Sequence, residues 1–495
     1  MDQCASVLLA FPPDQELADD EQYDKAVKAH VQRLGRLLKE QAAVLSANAG
    51  LLLDHIDVTL NSISYLVLLQ SAFDPDSKPS QATKDFIGRT ISFLLKFDPR
   101  QIRYAGVPFS NLLTVLLSGD IFPGSVAVAA ASIALRRLDP TGSMFTSHHL
   151  PLVRLAYEVD NIRDVLEVIN SDILFYPGMR THNDSRPLCD SQLPPPAFIN
   201  VESGLTNKVT PSEVLEYDML CGLCNLSLGD WRVALDAFER ALTTPTRDNG
   251  CSKIMVDAHN KWVLVSLLLK GKASPIPSRA GQGAQKTFAT LGSPYIAVAK
   301  AFEMHEGGAV ALKAEFERLG EQFWADDGNL GLMRMVMAYY QRWQIINLQD
   351  VYSKISLEEI RQRTQSAETG RELEHAGDVE ELVHGIISAG TLSGAIEKPD
   401  GAIFRDGRGY LAFIQPAEEL SESKFAAELL ASVQRIKELE PVLKATNERL
   451  AASREYARFL IKEQRLEREN ARDPGIGFDS QIEDEDLMTG IIAPR

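Results

Sequence analysis

The sharpest chemical candidate in the chain is the cysteine pair in Cys221-Gly-Leu-Cys224. Two thiolates at this spacing make half of a tetrahedral zinc site, and the same pair at a helix start after a strand makes a dithiol redox centre. Neither reading is completed here. Only the isolated Cys251 and His259 follow downstream, and the pair lies inside a helical apolar pattern. Cys221 and Cys224 therefore read as small buried hydrophobes. The pair His148-His149 precedes Leu150-Pro151 without a partner histidine one helical turn away or a nearby carboxylate cluster, so capping or exposure is expected rather than ligation. Gly271-Lys272-Ala273 lacks the upstream glycine and the hydroxyl residue of a phosphate loop. There is no His-Glu-X-X-His and no Gly-X-Ser-X-Gly elbow. The sequence thus offers no catalytic residue, no cofactor-binding residue and no metal ligand, and it reads as a non-enzyme.

Composition sets wider bounds. A chain of 495 residues is too long for one core, and two to four domains are expected. Hydrophobic content of 45% and charged content of 24% are those of a globular protein. The net charge of −17 argues against broad nucleic-acid binding, which needs a surplus of Lys and Arg. No apolar run approaches the roughly 20 residues of a membrane span, and no basic-then-apolar leader opens the chain. Five scattered cysteines do not form a disulfide framework, which fits a reduced intracellular protein.

The elements that would carry any site are overwhelmingly helical. Tyr23 to Ala47 places Val27, Val31, Leu34, Leu38 and Leu45 on one stripe, and Ile56 to Phe73 follows with Ile63, Leu66, Val67 and Leu69. Val126 to Leu138 is rich in small residues, as a closely packed helix would be, and Asp139-Pro140-Thr-Gly142 ends it. Helix pairs then recur around turns at Asp160-Asn161, Gly229-Asp230 and Gly307-Gly308, 70 and 78 residues apart. That is close to twice the ~34-residue period of a tetratricopeptide-like repeat. An intermediate pair is expected around Trp262 to Leu269. Trp231, Trp262, Trp324 and Trp343 fall on apolar faces and read as core. Such pairs cannot bury their apolar faces alone and stack into a solenoid. Two loops are expected to interrupt it: Tyr176 to Pro211, with Pro194-Pro195-Pro196 running extended, and a flexible Gly-, Ser- and Pro-rich insertion from Gly271 to Pro294.

Beyond the array, Leu348 to Phe413 reads as helix, turn, helix, turn, hairpin. The first helix is expected over Leu348 to Ile355. Ser356 then caps a second helix, with Glu359 at the capping-box spacing. A third runs from about Asp378, with Val379, Leu382, Val383, Ile386 and Ile387 on its inner face and Gly390 as the stop. A hairpin is expected to pair Ala395-Ile396 with Ala402-Ile403-Phe404 across Pro399-Asp400-Gly401. Next comes a long helix whose apolar residues Phe425, Leu429, Val433, Ile436, Leu439 and Leu443 advance by three and four, continuing less regularly through Leu450 and Leu460. Pro441 predicts a kink or a new start. One narrow apolar seam of this length calls for partner helices. The last 25 residues, with Asp479, Glu483, Asp484, Glu485 and Asp486, read as a disordered acidic tail.

The order solenoid, winged helix, long helix resembles the PCI family, shared by the proteasome lid, the COP-9 signalosome and a translation initiation complex. The likeness rests on Tyr352-Ser-Lys-Ile-Ser-Leu-Glu-Glu-Ile360, Val379-Glu-Glu-Leu-Val-His-Gly-Ile-Ile-Ser-Ala-Gly390 and Ala395-Ile-Glu-Lys-Pro-Asp-Gly-Ala-Ile-Phe404. Within the family it is closest to signalosome members, through Leu138-Asp-Pro-Thr141, His148-His-Leu-Pro-Leu152 and Ser293-Pro-Tyr295. The fold expected is mainly α, with helical repeats at 1–205, tetratricopeptide-like repeats at 206–345, a winged helix at 346–415, bundle helices at 416–470 and a tail at 471–495. The resemblance implies a non-catalytic scaffold beside other PCI and metalloprotease-type subunits, in a complex that removes a ubiquitin-like modifier from cullins of cullin-RING ligases in cytoplasm and nucleus. A proteasome-lid or initiation-complex subunit shares these features, and a nucleic-acid-binding winged helix is the alternative of a different kind. The expected contact residues are Ala395, Ile396, Glu397, Ile403 and Phe404 on the hairpin, and Phe425, Leu429, Val433, Ile436, Leu439, Leu443, Leu450 and Leu460 on the seam.

Overall fold

The computed structural model describes residues 2–13, 19–72, 81–178, 186–246, 250–397, 409–414, 422–451, 456–458 and 460–461. They fall into two units, one running up to residue 414 and one holding the C-terminal helix. The first unit is an array of helices followed by a small winged helix.

Local chemistry starts and stops the helices where the sequence indicates. The helix Asp20–Asp54 opens on Asp19, which accepts a hydrogen bond from the amide of Gln22. Thr210 and Glu213 form a full capping box ahead of Pro211–Ser227, with Pro211 in the first turn where no amide donor is needed. The antiparallel mate Trp231–Leu242 is capped by Asp230. These two helices approach closely because Gly222 leaves room for the buried Phe238. A Cβ at Gly222 would lie 2.4 Å from its ring. Lys253–Lys270 ends at Gly271, which takes φ of +67° as a helix stop. Ser293–Phe302 and Gly308–Asp326 make the next pair, joined through Gly307 at φ +70°.

Three expectations for this region change. Gln282–Leu291 is a helix, not part of a flexible insertion: Ala284 and Phe288, four residues apart, are buried, and the Phe288 ring stacks on His259 at 4.7 Å. The proline run is not extended throughout. Pro195–Phe198 forms one helical turn, which prolines tolerate because first-turn amides have no intrahelical acceptor. Phe198 and Ile199 are buried beneath it, with the Arg103 guanidinium 3.8 Å from the Phe198 ring centroid. His148 and His149 are buried rather than exposed. His149 Nδ1 accepts from the amide of Thr146 at 3.0 Å, ahead of the helix it begins, and His148 at the N-cap makes no cap hydrogen bond but meets Ser110 Oγ at 3.1 Å.

The apolar side chains gather into three cores. One runs from Cys4 to Leu205 and takes in Tyr217, Cys221 and Cys224; a second runs from Leu215 to Ala367; a third runs from Ile345 to Leu411. Pro211–Ser227 serves the first two through opposite faces. Leu330–Asn347 serves the last two, with Met333 and Val336 in the repeats and Ile345 and Ile346 in the winged helix. A continuous helix thus couples the array to the module after it.

Among the described residues the second unit holds the helix Glu422–Ala451, which continues through Pro441 with no new start there. The carbonyl that loses its partner there lies on an exposed helix, where water can take the bond. No described helix is long and apolar enough to cross a membrane.

Candidate assembly interface

The winged helix is built from two helices and three short strands. The segment Leu348 to Ile355, expected to be helical, is a 3-10 turn at Leu348–Asp350 followed by a strand, β1, at Lys354–Ser356. The β-branched Ile355 fills the core there. Ser356 then caps Leu357–Arg363, its Oγ accepting from the amide of Glu359 at 3.2 Å. The second half of the capping box is not made, because the Glu359 carboxylate accepts from Arg363 Nε at 3.0 Å. Ala376–Ser388 lays Val379, Val383 and Ile386 on the core, and Gly390 at φ +70° follows its end.

Strands β2, Gly394–Glu397, and β3, Tyr410–Phe413, complete an antiparallel sheet of order β1-β3-β2. The strand paired with Ala395-Ile396 is therefore Tyr410–Phe413. The predicted second strand, Ala402-Ile403-Phe404, and the Pro399-Asp400-Gly401 turn lie outside the described residues, as does the acidic tail. Tyr410-Leu-Ala-Phe is itself rich in strand formers, but the Pro-Asp-Gly turn upstream favours a shorter hairpin in the sequence.

The register fixes what the sheet offers. Ile396 pairs with Leu411, and Leu411 with Ile355; this row faces the core, with Ile355 and Leu411 buried. Ala395, Glu397, Tyr410 and Lys354 lie on the outer face and are exposed. Ile396 is thus not an outward side chain. Its backbone is another matter. The amide of Ile414 donates to the Ser393 carbonyl at 2.9 Å, so hydrogen-bonded pairs fall at Ser393, Ala395 and Glu397 by antiparallel alternation. Gly394 and Ile396 then direct N–H and C=O away from β3, along an edge that no strand among the described residues pairs with. On the other side, Phe413 donates to Ser353 and Leu357 to Gly409, so Ile355 bonds inward while Lys354 and Ser356 face the β1 edge. The charges on the two edge strands answer each other: Lys354 pairs with Glu397 over the central strand and sits 5.2 Å from the Tyr410 ring. Along its open edge β2 carries only Gly394, Ala395 and Ile396 before that paired glutamate.

The seam residues of the C-terminal helix share one property. Phe425, Leu429, Val433, Ile436, Leu439, Leu443, Leu450 and Leu460 are all exposed, Ile436 at 65% and Leu439 at 38%. Long apolar side chains spaced at three and four along an exposed helix form an unsatisfied stripe.

Nucleic-acid recognition finds little support. The two arginines of Leu357–Arg363 are both neutralised, Arg361 by Glu358 at 2.8 Å and Arg363 by Glu359 at 3.0 Å. The second helix, Ala376–Ser388, carries Asp378, Glu380 and Glu381 and no Lys or Arg. Cys221 and Cys224 are buried, and burial pushes the Cys224 thiol up to about 11, away from thiolate chemistry. Among the described residues no group of three or more His, Cys, Asp or Glu side chains is placed to hold a metal ion.

Comparison with known proteins places the chain. The family model described as COP9 signalosome complex subunit 3, N-terminal helical repeats, matches residues 28–282. A COP9 signalosome complex subunit 3 from Neurospora crassa is 43% identical, covering 100% of both chains. The protein of that name from Emericella nidulans is 27% identical over 94% of this chain and 95% of its own, and that from Arabidopsis thaliana is 22% identical over 82% of each. Full-length similarity, helical repeats and a terminal winged helix agree: the chain belongs to the COP9 signalosome complex subunit 3 family.

Proposed function

We propose that the chain is a non-catalytic scaffold of the signalosome, holding other PCI and metalloprotease-type subunits in a complex that removes a ubiquitin-like modifier from cullins of cullin-RING ligases, in cytoplasm and nucleus. The observation that carries this reading is the pair of open valences at the C-terminal end. One is the undefended β2 edge with the outward amides of Gly394 and Ile396; the other is the exposed seam from Phe425 to Leu460. A neighbouring module adds a strand at the edge, and partner helices cover the seam. The three cores support the division into repeats at 1–205 and 206–345 and a winged helix at 346–415, with 416–470 as the bundle segment and 471–495 as a tail.

The edge is tested by Ile396→Pro beside Ile396→Ala. Both lose the side-chain contact with the core, but only proline removes the outward N–H. An acceptor left unpaired in the joint costs about 1–3 kcal/mol, or roughly 5- to 150-fold in affinity. Ile396→Ala should enter the complex in reconstitution with purified subunits, and Ile396→Pro should be weakened by about that factor beyond it. Equal incorporation of the two variants would remove the edge from the joint.

A further inference from the structure

The outer face of the helix Asp20–Asp54 is left open by the fold. Val27, Leu34, Leu37, Leu45, Leu52 and Leu53 turn inward and are buried, and a break in helical geometry at Gln41 (φ −132°, ψ 29°) divides the exposed side into two halves. The first half is basic. From Lys25 to Lys39 the sequence has five Lys and Arg and no Asp or Glu, in a chain with 51 basic against 68 acidic residues. Lys28 pairs with Asp24 at 2.7 Å, and Lys25 stands 4.0 Å from Glu21. Arg33, Arg36 and Lys39 are exposed, and among the described residues no carboxylate pairs with any of them, the neighbouring Glu40 included. Steps of three set these side chains side by side, about 5–6 Å apart at Cβ, where like charges destabilise the helix that carries them. A chain with surplus carboxylates thus leaves this ridge unanswered.

The second half is small and apolar. Val44 is 42% exposed and Leu51 60%, seven residues and so about two turns apart. Beside them Ala43, Ala47 and Gly50 are exposed, and a Cβ at Gly50 would meet nothing within 4 Å. A helix face that meets only water is polar. Small residues between two bare aliphatic side chains instead let another backbone approach closely.

We propose that this face docks an amphipathic helix of a partner protein, with acidic residues over Arg33, Arg36 and Lys39 and aliphatic residues over Val44 and Leu51. The basic and the apolar positions follow one another along a single helix, so a second helix laid along it meets both with one face. Carboxylates on that helix relieve the repulsion within the ridge, and the two guanidiniums bind them as planar forks. The phosphates of a nucleic acid would use the basic half alone and leave Val44 and Leu51 bare. The face belongs to the helical repeats and adds a contact distinct from the β2 edge.

The test uses the full chain and two fluorescein-labelled helical peptides of one composition with blocked ends, read by fluorescence anisotropy at low salt. In the first, Glu-Ala-Gln-Glu-Ala-Ala-Gln-Glu-Ala-Gln-Glu-Ala-Ala-Gln-Leu-Ala-Gln-Leu-Ala-Ala-Gln-Leu, glutamates and then leucines advance by three and four along one face. In the second the same residues are dispersed around the helix. The first should bind below about 1 mM, and at least about fivefold more tightly than the second. Arg33→Glu/Arg36→Glu/Lys39→Glu should weaken it by about fivefold or more, and should bind a version with lysine for glutamate more tightly than the unaltered chain does. Lys253→Glu/Lys286→Glu/Lys300→Glu changes the net charge equally at exposed sites on other helices and should leave the affinity within about twofold. Val44→Asp/Leu51→Asp should abolish binding. All these side chains are exposed, so the melting temperatures should stay near that of the unaltered chain. Binding of neither peptide below about 1 mM, equal affinity for the two, or unchanged affinity in the ridge variant or the Val44 and Leu51 variant each overturns the proposal. Tighter binding of a DNA duplex than of the first peptide also overturns it and assigns the ridge to phosphate. Dimerisation of the chain that Val44→Asp/Leu51→Asp removes, without peptide binding, overturns it in favour of a second copy.

Discussion

The seam of the C-terminal helix can be broken without touching the fold of the chain. In Ile436→Asp/Leu439→Asp both residues lie on one face, 65% and 38% exposed, so together about one full aliphatic side chain remains to be buried by partners. Burying that area contributes about 1.5–3 kcal/mol. Forcing two carboxylates against an apolar partner adds at least about 1–3 kcal/mol for each unsatisfied group. The sum is at least about 3.5 kcal/mol, a weakening of several hundredfold or more. In the isolated chain the same change removes only the partial cover that leaves these side chains 65% and 38% exposed, beside the lower helix propensity of Asp, about 0.7 kcal/mol per residue. Gln434→Asp/Lys437→Asp puts the same propensity cost on the opposite face and serves as the control. Reconstitution followed by size-exclusion chromatography, with circular-dichroism melting of each free chain, separates the two effects. The seam variant should drop out of the complex at a melting temperature matching the control. If it enters the complex with the affinity of the control, the exposed stripe is not a contact and the bundle reading fails.

Two further predictions concern the repeats. Gly222→Ala sets a Cβ 2.4 Å from the buried Phe238 ring and should cost about 1–3 kcal/mol in urea denaturation; in a double-mutant cycle Phe238→Leu should then cost less than it does alone, and strict additivity would refute the contact. Burial lowers His30 and His148 to about 4 and His149 to about 3. The unfolded chain takes up these protons first, near 6.5, so stability is full above that pH and falls on acidification towards 4, by about 1.4 kcal/mol per histidine at pH 5.5. A flat urea midpoint between pH 7 and 5.5 would contradict that burial.

What could be read from the sequence was set by how far each signal acts. The helices Gly124–Leu138, Pro211–Ser227 and Ala376–Ser388 were legible through most of their length because the apolar period lies within the segment, although the start of Pro211–Ser227 at its Thr210–Glu213 capping box was not read. So was the exposed seam, since its residues needed only one period and the lack of a second stripe. Gln282–Leu291 was missed because its helical state depends on Phe288 finding His259, a residue on another helix. Lys354–Ser356 was read as helix for the same reason: three residues carry no period, and only pairing with Tyr410–Phe413 makes them a strand. Local turn chemistry misled where it was strongest, as Pro-Asp-Gly drew the second strand to Ala402–Phe404 and away from β3.

That displaced strand changes what the sheet offers a neighbouring module. A two-stranded hairpin with a tight turn would present two edges of similar kind. The observed order places β3 in the centre, bonded on both sides, and leaves two unlike edges. The β1 edge offers the backbone of Lys354 and Ser356 beside the cap of a helix; the β2 edge offers Gly394 and Ile396 with no charge before Glu397. Unlike edges are not both used by a closed two-fold dimer, which joins β2 to β2 or β1 to β1 because that symmetry joins identical surfaces. They suit head-to-tail contacts between different modules, each lending one edge and receiving at the other. Lys354 and Glu397, by pairing over the sheet, spend the charges that would otherwise guard those edges against added strands. A Lys354→Ala/Glu397→Ala chain should therefore keep its assembly, since neither edge amide depends on the pair.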